Sequence, residues 1–215
     1  MDLTPEQIEQ LWTLLISPDP DVHSQGRELL ALWGLREVRR MLVDRDLRPL
    51  KLGHRDLSGL PLIGADLRRV RLFGTNFSHA ELRRAKLQRA RLSRADLQVA
   101  DLCSAQLQGT ELHECKLQRA RLNGADLTRA RLSHCMLDGA TLKSALLDKA
   151  TLYNCSLRGA DLRGSRLRGV TMERVELSGA DLSGASLSKL RLSRIAYDDR
   201  TRWPEGFVPP RPEGR

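Results

Sequence analysis

Apolar residues occupy every fifth position through the middle of the chain. Counting from Leu47, the series runs Leu52, Leu57, Leu62, Leu67, Leu72, Phe77 and Leu82. It continues as leucine at every step to Leu167 and closes with Met172, Leu177, Leu182, Leu187 and Leu192, never losing register. Two residues before these positions usually stands a small residue, as at Ala80, Ala85, Ala90 and Ala95, with Thr110 and Cys115 as variants and Val170 and Val175 among the bulkier exceptions. The unit is small, polar, leucine, polar, polar, as in Ala125-Asp126-Leu127-Thr128-Arg129.

This spacing excludes the regular elements taken singly. On an α-helix a step of five turns through about 500°, so successive leucines would move round the axis by about 140° and no face could bury them. In one continuous strand an odd step sends successive leucines to opposite sides. Within a unit, however, the small residue and the leucine lie two apart and share one face of an extended segment, and the remaining residues can turn a corner. Glycine recurs two places after the leucine, at Gly59, Gly64, Gly74, Gly109 and Gly124 among others, where a corner with positive φ would want it. Extended pair followed by corner predicts a chain that coils. Ordering a residue costs roughly 1–2 kcal/mol of backbone entropy, whereas burying a leucine contributes roughly 1.5–3 kcal/mol. A single coil is therefore not stable alone, and stacking has to supply cooperativity.

The run resembles the pentapeptide-repeat family, whose A(D/N)Lxx signature stands here as Ala65-Asp66-Leu67, Ala95-Asp96-Leu97, Ala100-Asp101-Leu102, Ala125-Asp126-Leu127, Ala160-Asp161-Leu162 and Ala180-Asp181-Leu182. The resemblance implies a right-handed quadrilateral β-helix, an all-β repeat with leucine and the small residue pointing inward. Four units per circuit give a twenty-residue coil, hence about seven to eight coils and a rod on the order of 35 Å long. With that period Cys115, Cys135 and Cys155 fall one coil apart and are expected to stack at one inner corner.

Three regions are expected: a helical cap over residues 1–45, the β-helix over 46–195 and a capping tail over 196–215. Open coil ends would recruit other chains, so covers are needed. At the N-terminus Thr4, Pro5 and Gln7 form a capping sequence, and Ile8, Leu11, Trp12 and Leu15 make an apolar stripe. A second helix is predicted after Asp19-Pro20, carrying Val22, Leu29, Leu30 and Trp33 and stopping near Gly34, with a short third segment to about Val43. The set resembles a HEAT-like helical pair. At the other end Tyr197, Trp203 and Phe207 are expected to fold over the last coil, in a tail similar to one that ends many pentapeptide-repeat proteins, and the prolines and charges after Val208 favour disorder.

The formal net charge of +9 changes the functional picture. Assigned to faces by the twenty-residue period, the excess gathers on the Leu47 and Leu52 sides and sharpens at the corner they share. Arg69 with Arg71, Arg89 with Arg91, Arg129 with Arg131, and Lys189 with Arg191 occupy equivalent places there, interrupted by Gly109 and Glu111 and again by Gly169 and Thr171. Like charges a strand spacing apart repel unless carboxylates, solvent or a polyanion relieve them. This basic corner is the candidate partner-binding site.

No nucleophile, base and orienting group converge in the repeat. The aspartates before the leucines recur as part of the signature, the cysteines substitute for alanine, and the histidines sit on the surface, so no catalytic, cofactor or metal site is expected. Acids stand where a secretory leader would be basic and no apolar stretch approaches a membrane span, so cytoplasmic residence is expected. The leading expectation is a non-catalytic scaffold that docks an acidic protein partner as a monomer or end-to-end dimer. The alternative comes from the resemblance: some pentapeptide-repeat proteins mimic duplex DNA and protect type II topoisomerases such as gyrase from quinolones. Those relatives are acidic and this chain is basic, which argues against mimicry. Non-specific nucleic-acid binding along the corner is a third expectation, and sequence-specific recognition is not expected because only Phe73 and Tyr153 lie outward as aromatics on these coils.

Overall fold

The computed structural model describes residues 5–17, 19–29 and 42–211. Thr4, Leu30, Trp33, Gly34 and most of the third helical segment lie outside them, while Leu42 at its end is fully buried. From Asp46 onward most units pair in parallel with the one twenty residues later. One such column of bridges climbs from Asp46 to Asp66, Lys86, Gln106, Asp126, Leu146, Arg166 and Ser186, and the last bridge joins Asp181 to Arg202. Pairing at four units per step makes the coil four-sided, as the period and the family resemblance implied.

One side forms extended strands: β1 (Arg91–Ser93), β2 (Glu111–His113), β3 (Arg131–Ser133), β4 (Thr151–Tyr153), β5 (Thr171–Glu173) and β6 (Arg191–Ser193). They make one parallel six-stranded sheet in sequence order, with Leu92 beside Leu112 and Leu132 beside Leu152. The other sides carry isolated bridges between tight corners, closed by bonds such as Ala90 N–H to Leu87 O at 2.9 Å. At the corners from His54 onward the residue two past the leucine is left-handed, with φ of 62° at Arg69, 59° at Arg89 and 60° at Arg129. Glycine fills this place at Gly64, where a Cβ would meet the Asp44 carboxylate at 1.8 Å. Val99 holds φ of 60° with a β-branched side chain, a strained conformation that only the surrounding coils impose.

The aspartate of the repeat has a backbone reason. In the unit ending at Arg129, Ala125 N–H closes the corner on Leu122 O, Asp126 N–H donates to Ala105 O below, and Leu127 and Arg129 N–H donate to Leu146 O and Asp148 O above. The Thr128 N–H is the one donor the ladder and corner do not use, and the Asp126 carboxylate accepts it at 2.9 Å. The same bond recurs from Arg68 to Asp66, Gln98 to Asp96 and Ser183 to Asp181. Buried N–H groups demand partners, so an Asp or Asn before the leucine is structural.

The leucines and small residues fill the interior as one continuous core, with Leu67, Leu82, Leu102 and Leu122 fully buried. At the base, α1 (Pro5–Leu15) adds Leu11, Trp12 and Leu15 to this core. A second helix covers 20–29. From it Arg27 donates to Ser58 O at 2.8 Å, and His23 and Arg27 both approach Asp56. At the other end Trp203 lies 5.5 Å from Tyr197 and 5.3 Å from Phe207, ring centre to ring centre, and Tyr197 and Trp203 pack on the core.

Because all coils share one interior, a charge introduced in mid-stack has no exit. Leu127→Asp is expected to abolish the cooperative thermal transition, and Leu127→Ala to cost about 2–5 kcal/mol. Thermal melting followed by circular dichroism checks both; an unchanged Leu127→Asp transition would contradict this packing.

Candidate functional site

The basic corner is built by two backbone positions. The left-handed residue that ends the Leu67 column aims Arg69, Arg89, Arg129 and Lys189 outward, and the residue that opens the next side aims Arg71, Arg91, Arg131 and Arg191 beside them. All eight are exposed. Parallel pairing sets Arg71 on Arg91 and Arg91 on Glu111 in adjacent coils, about 4.8 Å apart. Lys149 stands in the same column, exposed, with φ of 59°. Spacing alone does not mark it, because Thr151 breaks the paired pattern there.

What separates this corner from the rest of the surface is the scarcity of carboxylates. Elsewhere many cations find them, although Arg84, Lys86, Lys116 and Arg119 form no ion pair among the described residues: Arg121 and Arg83 reach Asp101 at 3.2 and 4.0 Å, Lys143 and Arg163 reach Asp161 at 3.3 and 2.8 Å, and Arg158 reaches Glu176 at 3.4 Å. Of the eight corner residues, Arg91 alone forms an ion pair among the described residues, with Glu111 at 3.1 Å. Surface pairs contribute little to stability. Their absence over successive coils nevertheless leaves stacked positive charge for a partner to neutralise.

A second ladder, along the far edge of the β1–β6 side, escaped the sequence reading. His54 meets Phe73 edge-on at 4.9 Å, and Arg94 lies over Phe73 at 5.8 Å. Arg94 in turn pairs with Glu114 at 2.7 Å. Beyond it His113 meets His134, and His134 meets Tyr153, each at 5.6 Å, before Arg174 lies over Tyr153 at 5.7 Å. The histidines look unrelated when only twenty-residue offsets are compared. The contacts alternate between the residues one and two past the leucine, so the offsets are 19 and 21.

The cysteine column stacks inside as the period implied. Cys115, Cys135 and Cys155 are buried and unbridged, and their thiols donate to Leu92 O, Leu112 O and Leu132 O. The Cys115 contact and burial push the Cys135 thiol up to about 12, and the Cys135 contact and burial push Cys155 up as well. Cys103 is half-buried. Among the described residues no three His, Cys, Asp or Glu side chains gather as metal ligands, and no helix is long and apolar enough to cross a membrane.

A four-sided parallel coil with a leucine core and polar, uninterrupted faces defines the class: a β-solenoid of the repeat-scaffold type. A model described as "Pentapeptide repeat region" matches residues 105–182, and one described as "Pentapeptide repeats (8 copies)" matches 56–89 and 85–124. The chain belongs to the pentapeptide-repeat family. Among solved structures it is similar to full-length QnrB1, a plasmid-mediated fluoroquinolone resistance protein, at 22% identity over 74% of this chain and 91% of that one, with a TM-score of 0.40. It is also similar to HetL from Nostoc sp. strain PCC 7120, involved in heterocyst differentiation regulation, at 28% identity over 81% and 99%, TM-score 0.31. A third is a pentapeptide-repeat protein from the Arabidopsis thaliana thylakoid lumen, at 22% identity over 65% and 79%, TM-score 0.36. No curated protein matches the sequence at a significant level.

Two outcomes follow from the site chemistry. Hydrogen bonds from Arg48 hold the Asp46 carboxyl down to about 2, and those from Arg163 do the same for Asp161. A depressed carboxylate stabilises the fold above its unfolded value and loses that contribution as pH falls through its folded value. The melting temperature should therefore decline from about pH 4 towards pH 2, less steeply in Asp161→Asn, in thermal scans across that range. Separately, iodoacetamide on the native protein should label Cys103 ahead of Cys115, Cys135 and Cys155, which should react only after denaturation; mass spectrometry of the labelled peptides checks the order.

Proposed function

We propose that the protein is a non-catalytic binding scaffold whose basic corner docks an acidic protein partner. The observation that carries this reading is the run of exposed corner cations, all but Arg91 without a carboxylate, on a surface where many other cations are paired. The parallel ladder and left-handed corners fix where each side chain leaves the backbone, so the charges are presented at fixed intervals and little ordering entropy is lost on docking. Complementary charge mainly accelerates encounter and rejects wrong partners, and affinity then comes from the contacts that close. The pentapeptide-repeat architecture supports a scaffold role, and the four unbridged cysteines suit a cytoplasmic setting. The gyrase-protecting role expected as an alternative would use another surface, since mimicry of DNA calls for acidic faces.

Charge reversal at mid-rod tests the reading. In affinity capture from the native cell, the Arg129→Glu, Arg131→Glu double variant should lose an acidic protein that the wild type retains, while its melting temperature stays within a few degrees. Wild-type binding should weaken as salt rises. Equal recovery by both forms would refute the corner; recovery of a type II topoisomerase by both would favour the gyrase alternative. Retention of duplex DNA in place of protein, lost in the variant, would favour nucleic acid.

A further inference from the structure

Beside the basic corner, on the Leu47 and Leu67 side, lies a groove of about 560 Å³ lined by Arg48, Arg68, Arg69, Gln88, Arg89 and Gln108. Its four guanidiniums are of two kinds. Arg48 grips Asp46 through Nε at 2.8 Å and Nη2 at 2.6 Å, and Arg68 grips Asp66 through Nε at 2.8 Å and Nη2 at 2.5 Å. These two are pinned in place, and their Nη1 groups are not used in those pairs. Arg69 and Arg89 have no carboxylate partner among the described residues, leave the backbone at fixed left-handed corners, and sit one coil apart, about 4.8 Å. Among the described residues Asp46 and Asp66 are the carboxylates paired with these four guanidiniums, which leaves two of the four positive charges uncompensated.

That balance matches one chemical group. A phosphate monoester carries about −1.5 to −2 charge near neutrality and offers three acceptor oxygens, and arginine forks bind it bidentately where a carboxylate offers only one charge. The groove is several times larger than a phosphate group, so it admits flanking atoms too. Gln88 and Gln108 line the rest of the groove, and Gln108 Nε2 is already engaged, donating to Asp126 at 2.7 Å. We propose that this groove is a phosphate subsite that receives a phosphorylated side chain of the acidic partner, with Arg69 and Arg89 clasping the phosphate and Arg48 and Arg68 flanking it. The proposal rests on the docking reading above and names the group that reading left open.

The test is fluorescence polarisation of the full chain with a short labelled acidic peptide in three forms, carrying serine, phosphoserine or glutamate at its centre. The phosphorylated form should bind about tenfold or more tightly than the other two, a difference of about 1.4 kcal/mol. Arg69→Lys with Arg89→Lys, which keeps the charge but loses the forks, should erase most of that preference, and Arg129→Ala should weaken all three peptides alike. Melting curves confirm that these exposed substitutions leave the fold intact. Equal affinity for the three peptides, or a preference that survives Arg69→Ala with Arg89→Ala, overturns the subsite; if binding then still depends on Arg129, the docking reading stands. A preference that depends on Arg69 and Arg89 with no effect of Arg129→Ala keeps the subsite and removes the docking corner. Adenosine monophosphate competing as tightly as the phosphopeptide would make the ligand a small phosphorylated molecule and overturn its assignment to a partner protein.

Discussion

Each coil of this protein takes its backbone hydrogen bonds from the coils above and below, because a five-residue side is too short to satisfy its own. Leu127 donates to Leu146 above while Asp126 donates to Ala105 below, and the one donor left over, on Thr128, is met by the Asp126 side chain. Everything else depends on this sharing. It forces identical geometry on successive units, so the interior must be filled by repeated leucines and small residues. It also leaves unpaired edges at both ends, which Trp12 in α1 and the Tyr197, Trp203 and Phe207 cluster help to cover.

The same constraint converts sequence into surface pattern. A side chain at a given place in the unit is copied one strand spacing away in the next coil, so any bias in that place becomes a ladder. Basic residues in two adjoining places make the corner, and the ionised groups there find little local compensation. Rings in two other adjoining places make the His54, Phe73, His113, His134 and Tyr153 edge. Inside, the small-residue place becomes the cysteine column, in which Cys135 and Cys155 are held protonated by the neighbouring thiol and by burial. A solenoid varies its faces by substitution within a fixed frame.

Electrostatics divides the basic residues into two roles. Where aspartate occupies the place before the leucine, arginines nearby are tied to it, as Arg163 is to Asp161 and Arg68 to Asp66. Those arginines lock side-chain positions and depress their carboxylates. Where that place holds arginine or threonine, as in most coils of the Leu52 side, few carboxylates are at hand, and at the corner only Arg91 is tied, to Glu111, among the described residues. The groove at Arg69 and Arg89 lies where the two regimes meet, so pinned and free guanidiniums face the same space.

The leucine register, the coil, the Ala-Asp-Leu unit and the stacked cysteines were legible in the sequence because each depends on a fixed offset of five or twenty residues. The eight basic corner positions were legible for the same reason, whereas Lys149 was passed over when its neighbour broke the pairing. Contacts between different places of neighbouring units were not legible. The ring ladder works at offsets of 19 and 21, and the groove joins Arg68 to Arg69 and Gln88 across a corner, so both exist only once the handedness and direction of each turn are set. Which cations remain free was decided by tertiary structure alone, since a guanidinium is neutralised by carboxylates within about 4 Å, and that distance is a property of folded side chains and not of spacing along the chain.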